Sequence, residues 1–298
     1  MRVRSIFGFA LAFLVVASGP VFAQGGGGDT NEEVKKAVER AVGSSISSSV
    51  AESLSRSIVS EGVRATPTTT IFGSPFYNRT DGDFSFGSFK ADTGGAVIGG
   101  LFKLHDIVLV HGAFSGAYTH TKASALGTST KVDSVFVETR LGTDLIFLNT
   151  EPVKGWLTLE GGFSNFNTNV SDDIWSWRAG PSATLSVRGG PILFEPTVGF
   201  AFSNTFEDDG ADTVTAFQAG FSVKYRGEKF RPQLNFVYSK VIDPSTPRDD
   251  GFIAVGPEIL YAITPSFLVG GAYSYGTSLN SGVDINSHTV TLEFRWIF

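Results

Sequence analysis

The chain has 298 residues and a formal net charge of −6, and its composition is 42% hydrophobic, 13% aromatic and 17% charged. Neither that net charge nor any run of Lys and Arg along the chain suits a nucleic-acid backbone, so we expect no nucleic-acid partner. The sequence contains 35 Gly, 27 Phe and no Cys, which excludes disulfides, thiolate metal sites and lipid-modified cysteines and indicates a surface that does not face water everywhere.

Residues 1–23 have the pattern of a cleaved secretory signal peptide. Arg2 and Arg4 precede an apolar run over residues 6–17, and the small residue Ala23 stands at the expected cleavage site before Gln24. A membrane anchor is the alternative, but the apolar core is nearer 12 residues than the ~20 that a spanning helix needs. We therefore expect export, with a mature chain that starts at Gln24.

Residues 24–65 combine a glycine linker with a predicted helix. Between residues 31 and 61, apolar side chains recur every three or four positions in a serine-rich background, among them Ile46, Val50, Leu54 and Ile58. Such a helix is roughly 45 Å long. We predict that it enters the lumen of a barrel formed by the rest of the chain. The alternative is a periplasmic helix or a short coiled coil that uses the same apolar stripe.

From residue 66 to residue 298 the apolar period changes from 3.6 to two, which indicates strands separated by Gly, Asn and Asp turns. At least one strand is expected within residues 68–90. Pro181, Pro196, Pro232 and Pro257 fall inside predicted strands, and Gly180-Pro181 and Gly256-Pro257 are candidate bulges. The other eleven strands are predicted at residues 96–104, 107–120, 132–147, 156–166, 174–188, 192–203, 214–226, 230–241, 252–261, 266–275 and 287–298.

These features together predict an all-β membrane barrel of about 12 antiparallel up-and-down strands. Many of the predicted strands reach the 9–11 residues that a tilted strand needs to cross a bilayer. Tight connections alternate with longer ones, such as residues 121–131 and 277–285, as in outer-membrane barrels. Residues 148–155 break this alternation, because a longer connection is predicted where a tight turn belongs. A soluble β-sandwich is the rival fold, since it also alternates polar and apolar residues.

The last strand favours the membrane barrel over the sandwich. Every second residue up to the final position is apolar, while Thr291, Glu293 and Arg295 alternate with this row. The pattern resembles the C-terminal signature of bacterial outer-membrane barrels, which the barrel-assembly machinery reads. The predicted assembly signal consists of Val290, Leu292, Phe294, Trp296 and Phe298.

The opening strands resemble those of the autotransporter β-domain. The resemblance rests on residues 86–95, 98–106 and 110–121, together with an N-terminal helix and a terminal Phe. It implies a 12-stranded barrel whose helix threads the pore. The chain departs from that family because only about 45 residues separate Gln24 from the first possible strand, too few for a β-helical passenger. The Asn-Asn pair of self-cleaving members is also missing from the helix-to-barrel junction.

Alternate residues of a strand point to opposite faces of the barrel, and this parity places charged residues of both signs in the lumen. The mixture predicts internal salt-bridge networks more than an ion-selective ring, since a selective pore usually concentrates one sign. His120 near the outer rim is within reach of an Asp in a neighbouring loop, but we favour the interpretation that it is a polar rim residue without a catalytic role. The predicted lumen-lining residues are Glu138, Arg140, Asp144, Glu160, Arg178, Glu195, Lys224, Arg231, Glu258, Glu293 and Arg295.

The sequence therefore predicts a protein of the Gram-negative outer membrane that is not an enzyme and holds no cofactor or metal. We expect a structural or secretion-related surface module with a helix-plugged pore. A porin-like passive channel for small polar solutes is the alternative. The expected partners are outer-membrane lipid, lipopolysaccharide and the barrel-assembly machinery, and the sequence leaves the oligomeric state open.

Overall fold

The computed structural model describes residues 58–64, 69–84, 87–125, 128–168, 174–205, 214–242, 251–279 and 283–298. Residues 58–64 are helical, so the predicted helix continues three residues past its expected end at residue 61. Most of that predicted helix, residues 31–57, lies outside the described residues, as do residues 1–23. No helix within the described ranges has the length and apolar composition needed to cross a membrane.

Twelve strands follow the helix and close into one antiparallel barrel, in which each strand pairs with its neighbours in the sequence. This confirms the predicted fold class. The strands are β1 (Thr69–Phe84), β2 (Gly87–His105), β3 (Val108–Ala125), β4 (Thr128–Thr150), β5 (Val153–Thr168), β6 (Ile174–Gly189), β7 (Ile192–Thr205), β8 (Val214–Tyr225), β9 (Phe230–Val241), β10 (Gly251–Thr264), β11 (Phe267–Ser278) and β12 (Val283–Ile297).

The first and last strands close the barrel. β1 pairs with β12 in a single register that runs from Thr70 opposite Ile297 to Phe84 opposite Val283. Beyond the last pair, the backbone N–H of the terminal residue Phe298 donates to the carbonyl oxygen of Thr69 at 2.9 Å. The chain end is thus part of the seam, and no strand edge is left along the ladder between β1 and β12.

Alternation along the strands separates an interior face from an exterior face. In β10, Phe252, Ala254 and Leu260 are buried, whereas the odd-numbered Ile259 and Tyr261 are exposed. The exterior side chains of the neighbouring strands are likewise large and apolar over a continuous band. A soluble monomer rarely exposes a contiguous apolar surface of this extent, so the band is the surface expected to face lipid.

The connections differ from the prediction in two places. Most of the predicted loop at residues 121–131 belongs to strands, because β3 and β4 remain paired as far as Ala125 opposite Thr128. The expected exception at residues 148–155 is also wrong: only Glu151 and Pro152 separate β4 from β5, with a bulge between Ile146 and Leu148. The connections at the end of the barrel where the chain enters β1 and leaves β12 are therefore all two to four residues long, and we call it the tight-turn end; connections at the opposite end range from two to nine residues.

Interior aromatic rings lie over glycines of the neighbouring strand. A Cβ atom added to Gly99 would come within 2.5 Å of Phe72 Cζ and would also collide with the carbonyl oxygen of Gly112. Phe76 covers Gly95 in the same way, at 2.5 Å. Glycine at these positions makes room for large side chains inside a closed barrel, which accounts for part of the unusual glycine content.

The strand prolines interrupt hydrogen bonding without shifting the register. The pairs on either side of Gly180-Pro181 and of Gly256-Pro257 share one register, so the bulges expected there do not form. At Pro75, which likewise lies inside a strand, the Ser74 hydroxyl donates to the carbonyl oxygen of Leu292 on β12 at 2.5 Å. A side chain thereby supplies a donor to a neighbouring-strand carbonyl beside a residue that has no N–H.

Candidate functional site

The structure places all eleven predicted lumen-lining side chains on the interior face. Arg231 is the most accessible of them, with 28% of its side chain exposed. Arg178 and Glu160 are about half as accessible. The other eight are buried: Glu138, Arg140, Asp144, Glu195, Lys224, Glu258, Glu293 and Arg295.

The neighbouring strands β3, β4 and β5 bring several of these residues into a network around His111. We call this network the imidazole cluster; its members are His111, Glu138, Arg140, Asp144 and Glu160. His111 Nδ1 lies 2.9 Å from Asp144 Oδ2, and His111 Nε2 lies 3.2 Å from Glu160 Oε2. Arg140 continues the network, with Nη1 at 3.1 Å from Glu160 Oε1 and Nε at 2.9 Å from Glu138 Oε1. Opposite charges thus alternate across the wall, as the mixed interior composition indicated.

The geometry of the imidazole cluster indicates a structural role and not a catalytic one. Both ring nitrogens of His111 contact carboxylate oxygens, so neither is available to take a proton from a nucleophile. The two carboxylates lie on opposite sides of the ring and do not converge on one point. Consistent with this, no group of three His, Cys, Asp or Glu side chains within the described ranges is arranged to hold a metal ion.

The second interior site is formed where helical residues 58–64 meet the barrel wall, and we call it the helix-docking site. Ile58, Val59 and Val63 are buried and belong to the same apolar cluster as Phe72 and Leu101 of the wall. A Cβ atom on Gly62 would lie only 2.7 Å from Leu101 Cδ2, so the helix backbone passes close to β2. These contacts place the apolar side of this short helix against the interior face.

The polar side of the helix bonds to charged groups of the wall. The Ser60 hydroxyl lies 2.8 Å from Glu195 Oε1, and it accepts a hydrogen bond from Lys224 Nζ at 2.7 Å. Lys224 and Glu195 also form an ion pair of 2.6 Å. Arg64 donates to Ser186 Oγ at 2.6 Å and to the Ser186 carbonyl at 2.9 Å. Two residues of the helix therefore complete hydrogen bonds inside the barrel.

Glu61 lies among three guanidinium groups of the wall. Its carboxylate is 2.7 Å from Arg295, 3.7 Å from Arg226 and 3.9 Å from Arg231. Arg295 also contacts Glu293. The same carboxylate borders a cavity of about 350 Å³ at the tight-turn end of the barrel, whose lining includes four arginines: Arg64, Arg188, Arg226 and Arg231.

Ser60, Arg64, Ser186 and His111 were not predicted as interior-site residues. Ser186 lies nine residues from its bonding partner Glu195, but Ser60 lies 135 residues from that carboxylate. His111 has no metal-ligand spacing in the sequence, and its partners come from β4 and β5 through the register. Strand parity identifies which face each side chain occupies, but it carries no signal for these pairings.

The structure also places His120 against an aspartate, as expected. His120 Nδ1 lies 2.7 Å from Asp133 Oδ1, and the Tyr118 hydroxyl donates to the same oxygen at 2.7 Å. The aspartate lies on β4 and not in a loop, because that strand begins at Thr128. All three side chains are on the exterior face, outside the lumen.

Comparisons with known proteins show similarity of fold. No protein-family model matches the sequence, and the search of curated proteins found no match. The translocator domain of the autotransporter NalP from Neisseria meningitidis is 10% identical, with a TM-score of 0.52, 81% of this chain covered and 93% of that one. The transport unit of the autotransporter AIDA-I from Escherichia coli is 11% identical, with a TM-score of 0.53; the match covers 79% of this chain and 91% of that one. An outer-membrane channel from Pseudomonas putida F1 is 12% identical, with a TM-score of 0.56; the match covers 78% of this chain and 97% of that one. The chain thus has the barrel fold of autotransporter translocator domains and of outer-membrane channels.

Proposed function

We propose that the protein is an integral barrel of the Gram-negative outer membrane, exported with residues 1–23 as a cleaved signal peptide. We further propose that it acts as a structural or secretion-related module resembling an autotransporter translocator, with a helix that closes the lumen. The exterior apolar band supports the membrane location, because water is a poor solvent for so large an apolar face. The end at which every connection is short also holds both barrel termini, and this is the periplasmic end in such barrels.

The observation that carries the plugged pore is the bonding of the helix to the interior wall. Ser60, Glu61 and Arg64 all pair with wall groups, and Ser60 is fully buried. Glu195 and Arg295 also pair with the wall residues Lys224 and Glu293, so the helix joins charge networks that the wall begins. Polar groups of the helix buried in the lumen are costly to leave without partners, and these networks supply them.

Cross-linking in the full mature chain tests the helix position, since the sequence contains no cysteine of its own. Cysteines replacing Gly62 and Leu101 should form a disulfide, because these positions face each other across the helix–wall contact. The matched control combines Gly62→Cys and Leu101→Ala with Ile98→Cys, because Ile98 lies on the same strand but points outward and is 60% exposed. Equal cross-linking in both variants, or none in either, would contradict the docked helix.

Conductance of the oxidised and reduced cross-linked protein then tests closure. If the helix plugs the pore, the oxidised protein should conduct no more than wild type in a planar bilayer. The reduced protein should also stay closed, because the wall contacts still hold the helix in place. A porin-like channel is the second candidate, favoured by the 350 Å³ cavity beside the helix. Large, steady conductance of the oxidised form would support the channel and refute the plug.

Two partner proposals accompany this function. The exterior row of Val290, Leu292, Phe294, Trp296 and Phe298 is proposed to be the signal read by the barrel-assembly machinery. The outward orientation of the row supports this, with Phe298 itself 68% exposed. Outer-membrane lipid and lipopolysaccharide are the proposed surroundings of the apolar band.

A further inference from the structure

Three lysines from three consecutive strands form a row on the exterior face of the barrel. Lys90 on β2 is the register partner of Lys122 on β3, and Lys122 is the register partner of Lys131 on β4. All three side chains are exposed. Directly opposite side chains have Cβ atoms about 5 Å apart, so the row is roughly 10 Å long.

Like charges directly opposite each other destabilise a strand pair, and this row contains two such pairs side by side. In the part of the chain that the structure describes, none of the three ammonium groups has an ion-pair or hydrogen-bond partner. Three carboxylates lie near the row on the same face. Asp81, the register partner of Lys90 on β1, pairs with Arg79 at 3.4 Å, and Asp92 and Asp133 accept hydrogen bonds from Tyr77 and Tyr118. The lysines are therefore available to an external anion.

The height of the row on the barrel indicates which anion it meets. Lys122 lies four residues beyond Tyr118 on β3, away from the tight-turn end. Four residues of about 3.3 Å in a strand tilted by about 40° correspond to a rise of roughly 10 Å. Tyr77 and Tyr118 belong to the aromatic girdle at the edge of the apolar band. The ammonium groups thus lie at the level of lipid headgroups on the side opposite the tight turns.

We propose that Lys90, Lys122 and Lys131 form a binding site for the phosphate groups of a phosphorylated glycolipid in the outer leaflet. Phosphate supplies negative charge to three neighbouring lysines, and side chains whose Cβ atoms are about 5 Å apart can bring their ammonium groups to one or two phosphates. This site rests on the proposed membrane location. It fixes one side of the barrel, the face of β2 to β4, against a particular lipid.

Binding to phosphorylated lipid A tests the site in the full mature protein, folded in a neutral detergent. Near an anionic surface each lysine contributes about 1 kcal/mol, or about fivefold in affinity. Replacing all three lysines with Gln should therefore weaken binding roughly 100-fold. Lys122→Gln alone should weaken it about fivefold, and Lys122→Arg should preserve it. High salt should reduce wild-type binding, because the site is exposed.

Two controls identify the source of the effect. Lys229→Gln removes an exposed lysine at the tight-turn end and should bind like wild type. Lipid A with its phosphates removed, and inorganic phosphate alone, should bind at least tenfold more weakly than the intact lipid. Equal lipid A affinity for wild type and the triple variant, or equal affinity for phosphorylated and dephosphorylated lipid, would overturn the site.

A separate measurement distinguishes failure of this site from failure of the membrane assignment. Heat-modifiable migration on gels and extraction only by detergent report the folded membrane barrel, whatever lipid it prefers. Without lipid, Lys122→Gln should raise or preserve the thermal stability of the barrel, because it removes the repulsion at the centre of the row. Loss of stability in neutral detergent would show that the lysines serve the fold instead of a ligand.

Discussion

Replacing Glu61 with Gln should release the helix from the barrel wall. The substitution keeps the size of the side chain but removes the negative charge that faces Arg295 at 2.7 Å and two further arginines at 3.7 and 3.9 Å. Breaking a buried ion pair typically costs 3–5 kcal/mol. The cost here is smaller, about 2 kcal/mol, because Arg295 keeps its contact with Glu293 and because Arg226 and Arg231 are 22% and 28% exposed, so solvent screens them. A cost of about 2 kcal/mol shifts the docking equilibrium by roughly 30-fold.

Two readouts measure this shift. The rate of disulfide formation between Gly62→Cys and Leu101→Cys should fall sharply in the Glu61→Gln background, and the reduced protein should show more frequent or larger channel openings. Glu228→Gln is the matched control, because it changes an exposed carboxylate in the turn between β8 and β9. If Glu61→Gln and Glu228→Gln give the same cross-linking rate and the same conductance, the arginine contacts do not hold the helix and the plug model fails.

Three further predictions concern the barrel itself. Gly99→Ala should destabilise the barrel by about 1–3 kcal/mol in urea unfolding, because its Cβ meets Phe72 and a backbone oxygen, whereas Gly73→Ala, which has open space, should have little effect. Deleting Phe298 should slow assembly and expose the chain to periplasmic proteases, and wild-type amounts of heat-modifiable barrel would show that its row is ordinary strand alternation. His111→Ala should cost about 2–4 kcal/mol of unfolding free energy, since it leaves Asp144 and Glu160 facing each other, and a loss no larger than that of exposed His105→Ala would contradict the imidazole cluster.

The strand number and the face of each side chain were predictable because lipid imposes a strict pattern. An exterior residue at membrane depth must be apolar, so the period of two is visible wherever a strand crosses the bilayer. Beyond the aromatic girdle this constraint ends. Residues 121–131 resemble a loop in composition, yet β3 and β4 form a paired ladder there up to Ala125 opposite Thr128. Polar strands above the membrane and polar loops look alike in a single sequence.

The pairings inside the lumen were not predictable, because they depend on the register. Parity assigns Glu138, Arg140 and Glu160 to the interior, but it does not say which carboxylate faces which guanidinium. A shift of two residues between neighbouring strands keeps every side chain on its face and changes every partner. The partners of Ser60 are still harder to predict from the sequence, since they depend on where the helix enters a closed barrel.

The same register that pairs charges inside the barrel forces the lysine row outside it. Shifting β3 by two residues against β4 would place Lys122 opposite Asp133 and would relieve half of the repulsion in the row. That shift would also bring Asp144 opposite His111, in place of Gly142, whose missing side chain leaves the space that the imidazole ring occupies. A ring and a carboxylate cannot share that volume, so interior packing decides the register. The exterior lysines are then held side by side whether or not they repel, and an anion from the surrounding lipid is the partner that we propose for them.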